Sequence, residues 1–316
     1  MSDKAIAKTR FELENEVIEE KELFKFDQSE IDQLYEERPW KKDEHHFKKV
    51  KVSATALIKM VMHTKSGGDL EVMGMLQGKV KGDTFFVLDV IPLPVEGTET
   101  RVNASADSQE YMIDHLECSR VVNRPENIVG WYHSHPGYGC WLSGIDVSSE
   151  MLYQKVQDPC MAIVIDPHRT MSAGKVEIGC FRTYTEQHIK KIEEAKQSGY
   201  GQEDLSVPVD KVEDFGLHHH KYYQLETSFY KTQLDKMILD QLWDQYWRST
   251  LSFSPLLSNQ KEITNSIMDI DQKLTNTNKK AQPSRGKQNQ LTAILNQFTQ
   301  STHGGRSDDL GSVMNQ

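Results

Sequence analysis

Hydrophobic and polar positions alternate with two different periods in the first part of the chain, and these periods predict its first elements. Residues 50–52 alternate valine with lysine, which indicates a short strand. Ser53 is placed to cap a following helix, which the glycine pair at residues 67–68 ends. Residues 70–80 and 85–92 are apolar runs joined by Lys-Gly-Asp, a sequence typical of a β-hairpin.

The middle of the chain continues this alternation of strands and helices. A helix is predicted from Asp107 or Ser108 to a point before Pro125, and another begins at Ser143. The inward side chains predicted for these two helices are Met112, Ile113, Leu116 and Val121, and then Val147, Met151, Leu152 and Val156. Strands are predicted at residues 128–132, 161–166 and 174–184. This order predicts an α/β fold, a mixed sheet flanked by helices.

The two ends of the chain differ in composition from this main domain. Residues 1–46 are charged with sparse apolar positions, which predicts an arm with one short helix. Residues 186–216 lose apolar periodicity and are interpreted as an insertion or linker. The predicted division is an arm at 1–46, a main domain at 47–186, a linker at 187–220, C-terminal helices at 221–275 and a mostly disordered tail at 276–316.

The C-terminal helices carry an unusually wide apolar face. Residues 221 to about 253 are predicted to be helical, and Pro255 separates them from a weaker helix at 256–274. The face of the first helix, called here the aromatic stripe, comprises Leu234, Ile238, Leu239, Leu242, Trp243, Tyr246 and Trp247. A face of this width and aromatic content predicts contact with partner subunits.

Composition narrows the function classes. The formal net charge of −10 and the scattered basic residues argue against nucleic acid as a partner. No run of 18 apolar residues exists, so no membrane span is expected, and the N-terminus lacks the apolar core of a signal peptide. The four cysteines form no Cys-x-x-Cys pair, which suits a reducing compartment, the cytoplasm or nucleus.

Residues 133–146 carry the candidate chemistry. His133 and His135 end the predicted strand, and their spacing puts both imidazoles on one face. Asp146 lies in the first turn of the helix capped by Ser143. Two imidazoles and a carboxylate are three ligands of the kind that a catalytic zinc ion takes. The alternatives are a strand pair of histidines without metal and a simple capping box.

Two further metal-binding possibilities are less favoured by the sequence. Cys140 lies inside the motif and could reach a metal, but a small residue packed in the loop explains it better. The histidine run at residues 218–220 could also bind metal, although such a run at a helix start is more often solvated surface.

The order His-x-His-Pro, six residues, then Ser-x-x-Asp resembles the motif of the JAMM (MPN-plus) metalloproteases. That family has a distant catalytic glutamate, and Glu71 in Leu-Glu-Val-Met-Gly stands where its pattern places one. Without the resemblance, Glu71 would be interpreted as an exposed glutamate at a strand edge. The resemblance implies a JAB/MPN domain with a curved mixed sheet, and one Zn²⁺ per chain held by His133, His135 and Asp146.

Within this family, residues from about 45 to 275 resemble the catalytic (fifth) subunit of the COP9 signalosome. The stretches that carry this resemblance are 94–103, 130–148, 165–167, 172–176 and 212–216. It implies removal of the ubiquitin-like Nedd modifier from cullins, with neddylated cullin–RING ligases as substrates. The implied partners are other signalosome subunits, especially an MPN-domain subunit in a heterodimer, in the cytoplasm and nucleus. The alternatives are a deubiquitinase of the proteasome-lid type and a non-catalytic MPN scaffold subunit.

The resemblance also implies residue roles. Glu71 would act as general base and then general acid, and the Ser143 hydroxyl would donate to the developing oxyanion. Glu99 lies in a loop between two threonines, and in the isolated chain it would approach the metal and displace the attacking water. The alternative for Glu99 is a solvated loop glutamate.

Overall fold

A computed structural model describes residues 16–17, 28–94, 106–122, 124, 126–173, 175–195, 207–242 and 260–280. Its strands are β1 (Glu16–Val17), β2 (Lys49–Ser53), β3 (Met73–Lys81), β4 (Thr84–Pro92), β5 (Asn127–Ser134), β6 (Met161–Asp166), β7 (Glu177–Thr183), β8 (Tyr222–Gln224) and β9 (Glu226–Lys231). Its α-helices are α1 (Gln28–Glu37), α2 (Ala54–Gly67), α3 (Ala106–Val121), α4 (Gly144–Val156), α5 (Pro167–Ala173), α6 (Glu186–Ala195), α7 (Val212–His218), α8 (Gln233–Leu242) and α9 (Gln260–Lys280).

These strands form one mixed sheet with the order β1-β9-β2-β4-β3-β5-β6-β7-β8. The hairpin of β3 and β4 is antiparallel, as predicted, and its turn uses Gly82 with a φ of 59°, a left-handed conformation that glycine adopts without strain. β5 pairs antiparallel with β3 and parallel with β6. The predicted α/β class, a mixed sheet flanked by helices, is confirmed.

The sheet is buried on both faces, since neighbouring residues of its central strands enter different cores. On β5, Tyr132 joins the core that includes Met60 of α2, while Trp131 joins the core that includes Val147 of α4. Alternation of side chains along a strand explains this division. Helices therefore cover both faces, and α4 is packed against the face that carries His133.

The prediction of a helix from residue 221 is wrong for the segment before Gln233, because residues 222–224 and 226–231 form β8 and β9. β9 pairs parallel with β2, and its Tyr230 is fully buried. The aromatic and threonine residues here have strand propensity, and pairing with the existing sheet decides the outcome. Helix begins only at α8, and the aromatic stripe from Trp243 onward lies outside the described residues.

Other boundaries also differ from the prediction. The predicted linker contains α6 and α7, and α5 occupies the turn before β7. Four side chains predicted to face inward are instead exposed, namely Ile113, Val121, Leu152 and Val156. The predicted arm contains α1, and the segment after it buries Trp40 and Phe47 in the main core. The tail after residue 280 and the loop that holds Glu99 lie outside the described residues.

None of the helices in the described ranges combines the length and the apolar character that crossing a bilayer requires.

Candidate metal centre

Three candidate ligands converge where the end of β5 meets the start of α4. The Nε2 atoms of His133 and His135 are 2.9 Å apart. Oδ2 of Asp146 lies 3.3 Å from Nε2 of His133 and 3.5 Å from Nε2 of His135. Both imidazoles are 1% exposed, so these polar atoms meet in the protein interior. The predicted three residues are thus brought together, and they form one cluster whose ligand atoms lie within 4.8 Å of one another.

A positive charge between the three side chains of the cluster would stabilise the buried Asp146 carboxylate. Burial lowers the pKa of His133, but the Asp146 carboxylate outweighs burial, and the net effect is a raised pKa. Burial raises the pKa of Asp146, and the two imidazoles overcome this, so its pKa is held well below the ordinary value. A proton or a metal cation can supply the charge, and this donor set fits zinc.

The two imidazoles are held differently. Nδ1 of His135 lies 3.0 Å from the carbonyl oxygen of Gly139, the kind of contact that fixes the tautomer of a metal-binding histidine. His133 has no hydrogen-bond partner for its buried Nδ1 among the described residues. Its ring instead stacks on Trp131, with 4.8 Å between ring centroids and 16° between planes. Metal-binding histidines usually have an acceptor for their second ring nitrogen, and among the described residues only His135 has one.

Asp166 organises the loop that follows the histidines. This buried carboxylate accepts hydrogen bonds from the backbone N–H groups of Gly137 at 3.0 Å and Gly139 at 2.8 Å. Both glycines have φ near +90°, a conformation that side chains disfavour. The carboxylate thus holds the Gly139 carbonyl where His135 meets it. The sequence predicted Asp166 only as the last residue of the strand at 161–166, and a carboxylate at a strand end was the available signal.

The pairing register of β3 and β5 places Glu71 next to the candidate ligands. Met73 of β3 is paired with His133, and Val72 exchanges backbone contacts with Ser134: its carbonyl accepts at 3.0 Å and its N–H donates to the hydroxyl at 2.9 Å. Antiparallel pairing therefore brings Glu71 beside His135. The side chain is 5% exposed, so the interpretation of Glu71 as an exposed edge residue is wrong.

Tyr138 connects Glu71 with the histidines. Its hydroxyl donates to Oε1 of Glu71, and its ring stacks on His135 with centroids 4.4 Å apart. Burial, followed by the negative charge of Glu71, raises the pKa of Tyr138, so the hydroxyl stays protonated and remains a donor. Sequence reasoning missed this residue, because a tyrosine in a glycine loop has no period that would reveal its contact.

Ser143 forms the predicted capping box at the start of α4. Its Oγ accepts from the Asp146 N–H at 3.3 Å and donates to Oδ2 of Asp146 at 2.7 Å, while the Ser143 N–H donates to the same oxygen at 2.9 Å. The hydroxyl has a single proton, which here is directed to the carboxylate. It can donate to a substrate oxygen only after that bond is released.

These groups line one open cleft of about 330 Å³. Its walls are formed by Glu71, His135, Tyr138, Trp141, Ser143, Gly144, Ile145, Lys211 and Asp214. Lys211 and Asp214 come from the segment predicted to be a linker, and Lys211 lies over the Tyr138 ring at 5.3 Å. The cleft therefore joins one candidate ligand, His135, with Glu71 and Ser143 in one space that a substrate can enter.

The two less favoured metal-binding candidates, Cys140 and the histidine run at 218–220, lie outside the ligand cluster. Cys140 does not belong to the ligand cluster, and burial raises the pKa of its thiol. The three histidines at 218–220 are half-buried and contact Asp214, Gly216 and Glu193 respectively. These side chains are partly exposed, and none of them belongs to the ligand cluster. Glu99 lies in the loop outside the described residues.

Comparisons with known proteins agree with this geometry. Residues 45–159 match the family described as JAB1/Mov34/MPN/PAD-1 ubiquitin protease. The chain is 50% identical over 280 residues to COP9 signalosome complex subunit 5a of Arabidopsis thaliana, covering 86% of this chain and 77% of the relative. It is 53% identical over 266 residues to subunit 5 of the same complex from Dictyostelium discoideum, covering 84% and 78%. The Caenorhabditis elegans subunit 5 is 51% identical over 278 residues, covering 88% and 74%.

Proposed function

The chain belongs to the family of COP9 signalosome subunit 5 proteins, and from this premise we propose that it is a zinc-dependent isopeptidase that removes the Nedd modifier from cullins. One observation carries the proposal: two imidazoles and a carboxylate converge within 4.8 Å of one another, and one of these imidazoles, that of His135, lines an open cleft together with the buried Glu71. This combination of three ligands and a separate acid–base group is typical of zinc hydrolases.

His133, His135 and Asp146 would hold one Zn²⁺ per chain, and their donor atoms fit that ion. When bound, zinc supplies Lewis acidity, which polarises a carbonyl and makes a water molecule a better nucleophile at neutral pH. The remaining chemistry belongs to the chain. Glu71 lies in the same cleft, where its carboxylate can take a proton from the attacking water.

The proton and bond changes balance with water as the only co-reactant. The water oxygen bonds to the scissile carbonyl carbon, and Glu71 takes the water proton. The bond from that carbon to the lysine nitrogen then breaks, and Glu71 gives the proton to the departing amine. The Tyr138 hydroxyl holds the Glu71 carboxylate in place during both transfers.

Ser143 supports this chemistry in two ways. Its backbone and hydroxyl contacts fix the Asp146 carboxylate at the first turn of α4. Once the hydroxyl proton leaves Asp146, it can donate to the oxyanion that forms on the substrate carbonyl. This second role would make Ser143 a catalytic residue as well as a helix cap.

The partners follow from the family. The relatives are named as subunits of the COP9 signalosome complex, and we propose that this chain assembles with the other subunits, especially with an MPN-domain subunit as a heterodimer. Neddylated cullin–RING ligases would be its substrates. The four cysteines form no disulfide, which supports a location in the cytoplasm and nucleus.

The substrate is tested by hydrolysis of two conjugates in parallel. The complex assembled with wild-type chain is given a cullin carrying Nedd and a protein carrying ubiquitin, and Glu71→Gln chain is the matched control. We expect rapid release of Nedd, slow release of ubiquitin and little hydrolysis by the variant. Faster cleavage of ubiquitin would indicate a deubiquitinase of the proteasome-lid type, and no cleavage of either conjugate would indicate a scaffold subunit.

Assembly through the C-terminal helices is tested separately. Apolar side chains already exposed on the described helices support this role, namely Leu234 and Met237 on α8 and Ile263, Ile267 and Met268 on α9. Replacing Leu239, Trp243 and Trp247 with serine should release the chain from its complex while the zinc domain stays folded. Normal assembly of that variant would show that the aromatic stripe packs within the chain.

A further inference from the structure

A second contact between β5 and α4 lies directly behind the metal centre. Nε1 of Trp131 donates to Oε2 of Glu150 at 2.8 Å. Trp131 is 4% exposed and Glu150 is fully buried. Neither residue lines the cleft, and neither has a role in the reaction described above.

The Trp131–Glu150 contact and the His133–Asp146 contact are separated by similar distances along the strand and along the helix. Trp131 and His133 are two residues apart on β5, so they share a face and are about 7 Å apart. Asp146 and Glu150 are four residues apart on α4, so they share a face and are about 6 Å apart. The strand and helix are therefore joined at two successive levels, by the His133–Asp146 contact at 3.3 Å and by the Trp131–Glu150 hydrogen bond. The second bond fixes the rotation and axial position of the helix that carries Asp146.

Trp131 also determines how the His133 ring lies. The His133 Nδ1 has no hydrogen-bond partner among the described residues, so this nitrogen does not orient the ring as Nδ1 of His135 does. The nearly parallel stack on Trp131 restricts the ring plane, beside an edge contact with His135 at 4.7 Å between centroids. The indole is in turn held by its N–H bond to Glu150.

Stability alone does not explain this pair. Oε1 of Glu150 is buried and has no hydrogen-bond partner among the described residues. A buried carboxyl with an unsatisfied oxygen destabilises a fold relative to an apolar side chain of similar size. The buried carboxyl of Glu150 thus lowers the stability of the fold, and a role in placing the neighbouring metal ligands would account for its presence.

We propose that Trp131 and Glu150 are a positioning pair for the metal centre: their hydrogen bond sets the plane of His133 and the register of Asp146 against it. This inference rests on the proposed zinc site. The acceptor oxygen of Glu150 is the required feature, because glutamine keeps an oxygen at that position while leucine fills the space without one.

The test measures zinc affinity of the full chain by competition with a chromophoric chelator. Glu150→Leu and Trp131→Phe should each weaken zinc binding by about tenfold to a hundredfold, the usual effect of losing a residue that supports a metal ligand. Glu150→Gln should bind like wild type. The double variant should be no weaker than the weaker single variant, because both changes remove the same bond.

Two further measurements separate positioning from a general effect on the fold. Urea unfolding of the metal-free Glu150→Leu chain should show stability equal to wild type or higher, while the visible absorption of its Co²⁺ form should change in intensity, because ligand geometry has changed. Gln77→Leu is the matched control, since it replaces another buried polar side chain, on β3, and should leave affinity and spectrum unaltered.

The outcomes distinguish this inference from the proposed function. If wild-type chain binds no zinc, the zinc site itself is wrong. If wild type binds zinc and both Glu150→Leu and Trp131→Phe bind it equally well, the positioning pair is refuted while the zinc site stands. A loss in Glu150→Gln as large as in Glu150→Leu would also refute it, because the acceptor oxygen would then not matter.

Discussion

Glu150→Gln should make the stability of the chain less dependent on pH. Burial raises the pKa of this carboxyl from 4.5 to about 8, although the Arg182 guanidinium and the Trp131 N–H lower it and Asp158 raises it further. Below pH 4.5 the group is protonated in the folded and the unfolded chain alike. As the pH rises, the unfolded chain releases this proton first, so stability falls until the folded group also ionises near pH 8.

The size of this pH effect on stability follows from the pKa shift of Glu150. Each pH unit between the two pKa values changes the free energy of unfolding by about 1.4 kcal/mol, so the whole interval corresponds to an upper bound of about 5 kcal/mol. That is a large part of the stability of an ordinary domain, which is about 5–15 kcal/mol. Glutamine does not ionise and retains an acceptor for Trp131, so the variant should escape this loss.

The assay is urea unfolding of metal-free wild-type and Glu150→Gln chains at several pH values from 5 to 9. Removing the metal makes the titration of the zinc ligands common to both proteins, so it cancels in their difference. We expect the difference to favour the variant increasingly from pH 5 to pH 8 and then to level off. Glu194→Gln, on the exposed side of α6, is the control and should give a difference near zero throughout. A difference for Glu150→Gln that does not change with pH would refute the reasoning.

Three further predictions concern Asp166, Tyr138 and Glu99. Asp166→Asn should weaken zinc binding and lower the free energy of unfolding by about 1–3 kcal/mol, because an amide cannot accept hydrogen bonds from the N–H groups of both Gly137 and Gly139. Chelator competition and urea unfolding measure the two effects, and unchanged results in both would contradict the prediction. Tyr138→Phe should lower kcat with full zinc content, because Glu71 loses the hydroxyl that orients it, and a normal kcat would show that this bond is dispensable. Glu99→Ala should restore hydrolysis in the free chain or increase it in the complex, and equal rates in both assays would remove Glu99 from the mechanism.

The sequence predicted the centre well because its determinants are local. His133 and His135 are two residues apart on one strand, and Ser143 with Asp146 forms a capping box, so short spacings are sufficient to place all four. The position of Glu71 could be inferred only from the family resemblance. Its burial depends on the pairing of β3 with β5, a contact between distant parts of the chain.

The wrong predictions have one physical cause. The periodicity of apolar residues along the sequence does not show which element each residue packs against. Residues 222–231 become strands because β2 and β7 offer edges to them. Val121 and Val156 are apolar and in phase with their helices, yet they lie at helix ends beyond the sheet and are exposed. The sequence did not single out Glu150, and only the fold shows that it is buried against Trp131.

Metal content of the purified full chain tests the central claim most directly. Elemental analysis of the wild type, of His133→Ala and of Asp146→Asn would be made on protein whose fold is verified by circular dichroism. The account predicts about one zinc per wild-type chain and little in either variant, because each substitution removes one of three ligands. Full zinc content in both folded variants, or none in the wild type, would contradict it.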